Sequence, residues 1–262
     1  MACRHEKIQP MRTSLLLAAC LPLVGLADVP ARMSSASPPV LAPTGAEDDY
    51  QQGVRYATGD GVSRDYSLAA KYYRIAAEKG MAAAQYDLAY LYESGLGVKR
   101  DPKLAAIWYR KAALQGDAEA QNNLGVLYSQ GQGVARNAAA AVHWFRLAAA
   151  QSDPEGTCNL GMMYLKGRGV KRDPARAFRL LQKAADQGYA VAQNNLGLLY
   201  ANGDAGIRDF VWAYAWLDIA AGELTVSAGL RDKMAKEMTA GQISQARDLA
   251  GRKREELARK RP

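Results

Sequence analysis

Two side chains beyond the first few dozen residues have chemistry that could serve catalysis, His143 and Cys158, and neither has company suited to it. His143 stands beside Trp144, with no second His and no Cys or Asp at ligand spacing, so a metal site of the usual tetrahedral kind is not built around it. Cys158 lies between Thr157 and Asn159, with no base nearby in sequence to draw off its proton, so a packing or groove role fits it better than a nucleophile's. Two recurring patterns also resemble chemistry. The aspartates Asp65, Asp101, Asp173 and Asp209 could be taken for paired carboxylates, but Asp101-Pro102 and Asp173-Pro174 have the form of helix starts, in which Asp accepts from orphan amides and Pro fits the first turn. The glycine-rich segments have the look of phosphate loops, yet they recur, follow helices, and lack the third Gly and the preceding strand of a dinucleotide site. Helix termination is the expected reason for them. The sequence therefore predicts no catalytic residue, no metal and no cofactor.

The elements that hold these residues repeat. Gly59-Asp60-Gly61-Val62 returns as Gly95-Leu96-Gly97-Val98, Gly131-Gln132-Gly133-Val134 and Gly167-Arg168-Gly169-Val170, always 36 residues on, with a degraded copy at Gly203-Asp204-Ala205-Gly206. The same step runs through Tyr56, Tyr92, Tyr128, Tyr164 and Tyr200, through Gly53, Ala89, Gly125, Gly161 and Gly197, and through the Ala-Ala pairs from Ala76-Ala77 to Ala220-Ala221. Each period holds two amphipathic helices. In the third copy, Leu124, Leu127 and Tyr128 share a face with Gly125, and Asn137 caps a second helix that turns Ala141, Trp144, Phe145 and Ala148 inward. Gly125 and Ala141 are expected where backbones approach, with Trp144 and Tyr128 filling the space between copies. A single pair of short helices buries too little to stand alone, whereas stacked pairs share a continuous core.

The phrase Ala120-Gln121-Asn122-Asn123-Leu124-Gly125-Val126-Leu127-Tyr128, with the G-x-G-V loop, the capping Asp and the Ala-Ala ending, resembles the Sel1-like repeat family, a relative of the tetratricopeptide repeat. The resemblance implies an all-α fold, an α-solenoid of about five helix-turn-helix repeats at 46–81, 82–117, 118–153, 154–189 and 190–222, with a C-terminal helical cap over 223–262. It also implies adaptor work, binding another protein or peptide. By analogy with tetratricopeptide stacks, the first helices line a concave wall. The expected contact residues there are Tyr86, Tyr90 and Glu93 in the second copy, and Glu119, Asn122, Val126, Ser129 and Gln130 in the third. Cys158, Met162 and Lys166 follow in the fourth, and Asn194, Leu198 and Asn202 in the fifth. Tyr and Met supply apolar contact while Asn and Gln satisfy a peptide backbone. Some cysteine-rich relatives are associated with β-lactam hydrolysis, but they carry paired Cys in each repeat, and neither these nor a Ser-x-x-Lys signature is present here.

The ends have their own signals. Arg4, Lys7 and Arg12 precede an apolar run from Thr13 to Leu26, and Gly25-Leu26-Ala27 places small residues at a cleavage site, so 1–27 reads as a signal peptide and the mature chain as periplasmic or secreted. Met11 is an alternative start. Leu17-Ala18-Ala19-Cys20 offers the competing reading of a lipoprotein anchored at Cys20, which would suit a glycan- or exopolysaccharide-associated scaffold at the cell envelope. Residues 28–45 form a Pro/Ser/Ala-rich linker. Cleavage after Ala27 leaves Cys158 as the one thiol, so a monomer without disulfides is expected. At the other end, residues 223–262 carry ten basic and six acidic side chains, with Arg252-Lys253-Arg254 and Arg259-Lys260-Arg261 either free to meet an acidic partner or a solvated helix end. The net charge of +8 over 262 residues, without clustered cations interleaved with aromatics in the repeats, argues against a nucleic-acid partner.

Overall fold

The structure, a computed structural model, describes residues 45–206 and 208–260. The leader, the linker as far as residue 44, and Cys20 lie outside the described residues, as does Arg261. Twelve helices and no strand occur among the described residues. Five hairpins come first: α1 (Gly45–Thr58) with α2 (Tyr66–Glu78), α3 (Ala82–Ser94) with α4 (Pro102–Leu114), and α5 (Ala118–Gln130) with α6 (Ala138–Ala150). The series continues with α7 (Pro154–Lys166) and α8 (Pro174–Asp186), then α9 (Ala190–Asn202) and α10 (Phe210–Ala220). Two further helices, α11 (Thr225–Ala235) and α12 (Ala240–Lys260), pack on α10. Each hairpin packs on the next, which makes the chain an all-α solenoid.

The repeated residues take the expected places at the helix ends. Gly95, Gly131, Gly167 and Gly203 close the first helices in the left-handed conformation, with φ of 74°, 77°, 63° and 71°. Asp65, Asp101, Asp173 and Asp209 cap the second helices, each accepting from backbone amides of the first turn, and Asn137 does the same in the third repeat. Their own amides donate back to the carbonyls of Tyr56, Tyr92, Tyr128, Tyr164 and Tyr200, so every long loop is cinched in the same way.

Helix termination does not exhaust the G-x-G-V loop, however. It explains the first Gly, whereas the second serves contact between repeats. A Cβ on Gly97 would stand 2.2 Å from the Tyr66 carbonyl carbon, one on Gly133 2.0 Å from the Pro102 oxygen, and one on Gly169 2.3 Å from the Ala138 oxygen. Each long loop thus rests on the start of the second helix in the repeat before it. In the first repeat Gly61 meets only the Arg55 side chain. The small residues inside the first helices act within a repeat. A Cβ on Gly53 or Gly125 would press into the ring of Tyr73 or Phe145, at 2.5 and 2.6 Å. Phe145, not a facing backbone, therefore occupies the space beside Gly125.

Between repeats run two polar ladders. Arg74, Arg110 and Arg146 donate to the hydroxyls of Tyr92, Tyr128 and Tyr164 of the following repeat, the last at 3.1 Å. Gln85, Gln121 and Gln193 donate to the carbonyls of Ala77, Ala113 and Ala185 at the end of the preceding helix. Gln115 and Gln151 reach back to Gln85 and Gln121 at 2.8 and 2.9 Å.

Candidate functional site

The first helices form the inner side of the curve, since α5 and α7 touch each other directly. The expected wall divides along its length. In the second repeat it is accessible. Tyr86 and Tyr90, one turn apart on α3, are half-buried, and the Tyr86 ring lies 5.6 Å from that of the buried Tyr109. Tyr109 donates its hydroxyl to Glu93 Oε2 at 2.8 Å. Burial pushes the Glu93 carboxyl up from its ordinary value, opposed by that hydrogen bond and by the positive charge of Arg100. The Tyr109 hydroxyl is raised as well, by its own burial and then by the Glu93 charge, so it stays a proton donor. The second repeat therefore presents two phenol rings and a carboxylate of fixed orientation.

From the third repeat onward the inner wall closes. Asn122, Val126, Cys158, Met162, Asn194 and Leu198 are buried, at 5% exposure or less, and offer no surface to a partner. The cause is direct packing of inner helices. Asn159 Nδ2 donates to Asn122 Oδ1 at 2.8 Å, Asn122 Nδ2 donates to Glu155 Oε2 at 3.1 Å, and Asn195 Nδ2 approaches Cys158 Sγ at 3.8 Å. At the far end α11 lies against the wall, where Ser227, itself buried, donates to Asn194 Oδ1 at 2.9 Å. Of the expected residues beyond the second repeat, Glu119 and Asn202 are exposed, while Ser129, Gln130 and Lys166 are half-buried. Ser129 returns its hydroxyl to the Val126 carbonyl and Asn202 donates to Asp204, so both are engaged locally.

The closed part holds two perturbed acids, Asp153 and Glu155, both raised chiefly by burial. Burial, followed by the charges of Asp153 and Glu119, raises the Glu155 carboxyl to about 7. The residues raised first as candidates for chemistry take structural places. His143 is exposed, with its ring edge-on to Trp144 at 5.3 Å, and Cys158 is fully buried. No group of three or more metal-ligating side chains occurs among the described residues, and no described helix is long and apolar enough to cross a membrane.

Of the first C-terminal basic run, Lys253 and Arg254 are engaged while Arg252 is exposed. Arg254 donates to Asp218 Oδ2 at 2.7 Å and to the Asp218 carbonyl at 2.8 Å, and Arg231 of α11 meets the other carboxylate oxygen at 2.7 Å. Lys253 reaches Asp186 at 3.1 Å and lies 5.6 Å from the ring centre of the buried Trp216. These contacts dock the cap. They went unread in sequence, although a signal was present: Asp218 stands in the 36-residue series that begins Arg74, Arg110, Arg146, Gln182.

A solenoid of paired helices with short and long connections alternating, an accessible inner wall at one end and a docked cap at the other defines a helical repeat scaffold. The family model for the Sel1 repeat matches residues 50–81, 82–117, 118–153, 154–189 and 190–222, and the chain belongs to that family. Among solved structures it is similar to a Sel1 repeat protein from Oxalobacter formigenes, with 34% identity, a TM-score of 0.67, and coverage of 70% of this chain and 73% of that one. It is also similar to c5321, a protective antigen of uropathogenic Escherichia coli strains displaying an SLR fold, at 32% identity and a TM-score of 0.53. That likeness covers 82% of this chain but only 55% of the antigen, so the chain spans about half the antigen's length. No curated protein matches the sequence. Family and fold together describe a helical scaffold of a kind consistent with protein–protein interaction, in a family that is generally non-catalytic.

Proposed function

We propose that this chain is an exported, non-enzymatic adaptor that holds a peptide or protein segment of the cell envelope against the second repeat. The observation that carries the reading is the contrast along the inner wall. Tyr86, Tyr90 and Glu93 remain accessible, whereas the equivalent positions further on are consumed by Asn122, Cys158 and Asn194 packing on their neighbours. Two tyrosines bring broad contact area with few rotatable bonds, and the Glu93 carboxylate can accept from a peptide amide. Export rests on the leader read in residues 1–27.

The test pairs wild-type protein with Tyr86→Ala/Tyr90→Ala in affinity capture from envelope extract. A partner retained by the first and lost by the second, with helix content and melting unchanged, supports the wall of the second repeat as the site. Equal capture by both excludes it. The mass of the mature chain from the periplasmic fraction tests export, since a cut after Ala27 and a lipidated Cys20 differ in mass, and an uncut chain confined to the cytosol rejects both.

A further inference from the structure

The long loops of the three middle repeats carry six exposed cations: Lys99 and Arg100, Arg136, then Arg168, Lys171 and Arg172. They lie in one row, because the loop at Gly133 rests on Pro102 and the loop at Gly169 on Ala138, each touching the repeat before it. Three of the arginines are held in the same pose. Arg100, Arg136 and Arg172 donate Nε to the carbonyls of Glu93, Ser129 and Leu165, at 2.9, 3.2 and 3.1 Å. Among the described residues their terminal Nη atoms make no bond, so each guanidinium is fixed at its base with its outer face to solvent. A pre-oriented guanidinium loses little freedom on pairing with a carboxylate. Asp101 and Asp173 keep their charge while they cap α4 and α8, so six cations against two carboxylates leave the three loops with a net charge of +4.

The row has ends. The loops on either side carry Arg64 and Arg208, but Asp60 with Asp65 and Asp204 with Asp209 leave each at a net charge of −1, which would repel a polyanion continuing past them. Adjacent packed helices stand roughly 10 Å apart, so three loops span about 20–30 Å. An extended peptide at about 3.3 Å per residue covers that with roughly six to nine residues. Exposed aromatic platforms, which single-stranded nucleic acids use, are absent from these three loop segments.

We infer that this edge is a docking surface for a short, extended acidic polypeptide segment of a partner protein. It is separate from the inner wall of the second repeat and stands whether or not that wall binds. The test uses the full chain and an acidic peptide of about nine residues with Glu at two of every three positions, read by fluorescence anisotropy at low and physiological salt. Lys99→Gln/Arg168→Gln/Lys171→Gln leaves the loop-bonded arginines in place and should weaken binding about tenfold. Lys233→Gln/Lys236→Gln/Arg252→Gln, which removes as many exposed cations from the cap, and Tyr86→Ala/Tyr90→Ala should both bind as wild type. Absence of binding at low salt, equal loss in the two charge variants, or loss in the tyrosine variant overturns the proposal. Tighter binding of polyphosphate or of anionic vesicles than of the peptide, lost in the loop variant, also overturns it in favour of those ligands.

Discussion

Ser152 occupies a position that three other repeats give to glycine. Its φ is 64°, and the equivalents Gly80, Gly116 and Gly188 have φ of 97°, 95° and 89° in the turn that leads from one repeat to the next. A side chain in the left-handed region is strained, and nothing stands within 4 Å of where a Cβ on Gly80 or Gly116 would lie. Ser152 repays little of that strain, since its hydroxyl accepts only a long contact of 3.4 Å from Lys183. Ser152→Gly should therefore stabilise the fold by about 0.5–1 kcal/mol. A higher urea midpoint with an unchanged slope would show it. Glu155 is strained in another sense. Its folded carboxyl titrates at about 7 against an ordinary 4.5 and keeps its proton to higher pH than the unfolded one. Its stabilising contribution is full below 4.5 and lost as pH rises through 7. Allowing for solvent screening, the loss is about 2 kcal/mol. Glu155→Gln retains an acceptor for Asn122 and should be the more stable protein at about pH 8 by that amount, with a flatter melting profile across the window. A wild-type melting temperature that does not fall over the same range would contradict the burial argument.

At the scale of elements, the cap is docked by a reversal of charge. In the first three repeats the position of Asp218 holds Arg74, Arg110 or Arg146, each donating to a tyrosine of the repeat that follows. The fifth repeat is followed by no further tyrosine at that place, and its acceptor, Asp218, instead receives Arg231 from α11 and Arg254 from α12. Burial alone would raise this carboxyl, but the hydrogen bonds of the two arginines outweigh it and hold it below its ordinary value. The stabilisation is thus present above the unfolded carboxylate range and lost as pH falls through the folded value. Asp218→Asn should release α11 and α12 at neutral pH, seen as faster amide exchange in those helices while α3 to α8 stay protected. Exchange in α12 equal to wild type would place the docking energy in Ala246, Ala250 and Leu257 instead. The helices, their caps and their pairing were legible in sequence because they follow from local chemistry. Gly ends the first helix of each pair and Asp or Asn caps the second through its first-turn amides, and the tyrosine series keeps step over five repeats. The accessible length of the inner wall was not legible. Periodicity assigns Asn122, Cys158 and Asn194 to the inner face but says nothing of curvature, which brings α5 against α7, or of the cap helix α11, which covers Asn194. The role of Asp218 was hidden for a related reason: it looks like decay of a repeat until the partner helices are in place.

For the whole molecule, repeats that touch only their neighbours make stability a sum of hairpin and interface terms, so a defect in one interface should divide the solenoid rather than weaken it evenly. The second glycine of the long loop allows that to be tested with one substitution at two places. Gly61 and Gly133 share a φ of 68° and the same loop position, and differ only in what lies beyond them. A Cβ on Gly133 meets the Pro102 backbone oxygen at 2.0 Å, while one on Gly61 meets only the end of the Arg55 side chain at 3.3 Å. Gly61→Ala should thus cost only the strain of a left-handed alanine, about 1 kcal/mol. Gly133→Ala adds an overlap that backbone cannot relieve and should cost about 3 kcal/mol or more. Its effect should also have a direction. The interface it opens joins the second repeat to the third, so α1 to α4 lose their neighbour while α7 to α12 keep theirs and the docked cap. Amide exchange resolved by segment would then show α1 to α4 opening first in Gly133→Ala, with α9 and α10 as slow as in wild type. Uniform acceleration across all the helices would mean that the chain unfolds as one cooperative unit, and that the wall of the second repeat depends for its shape on the far cap as much as on its own loop.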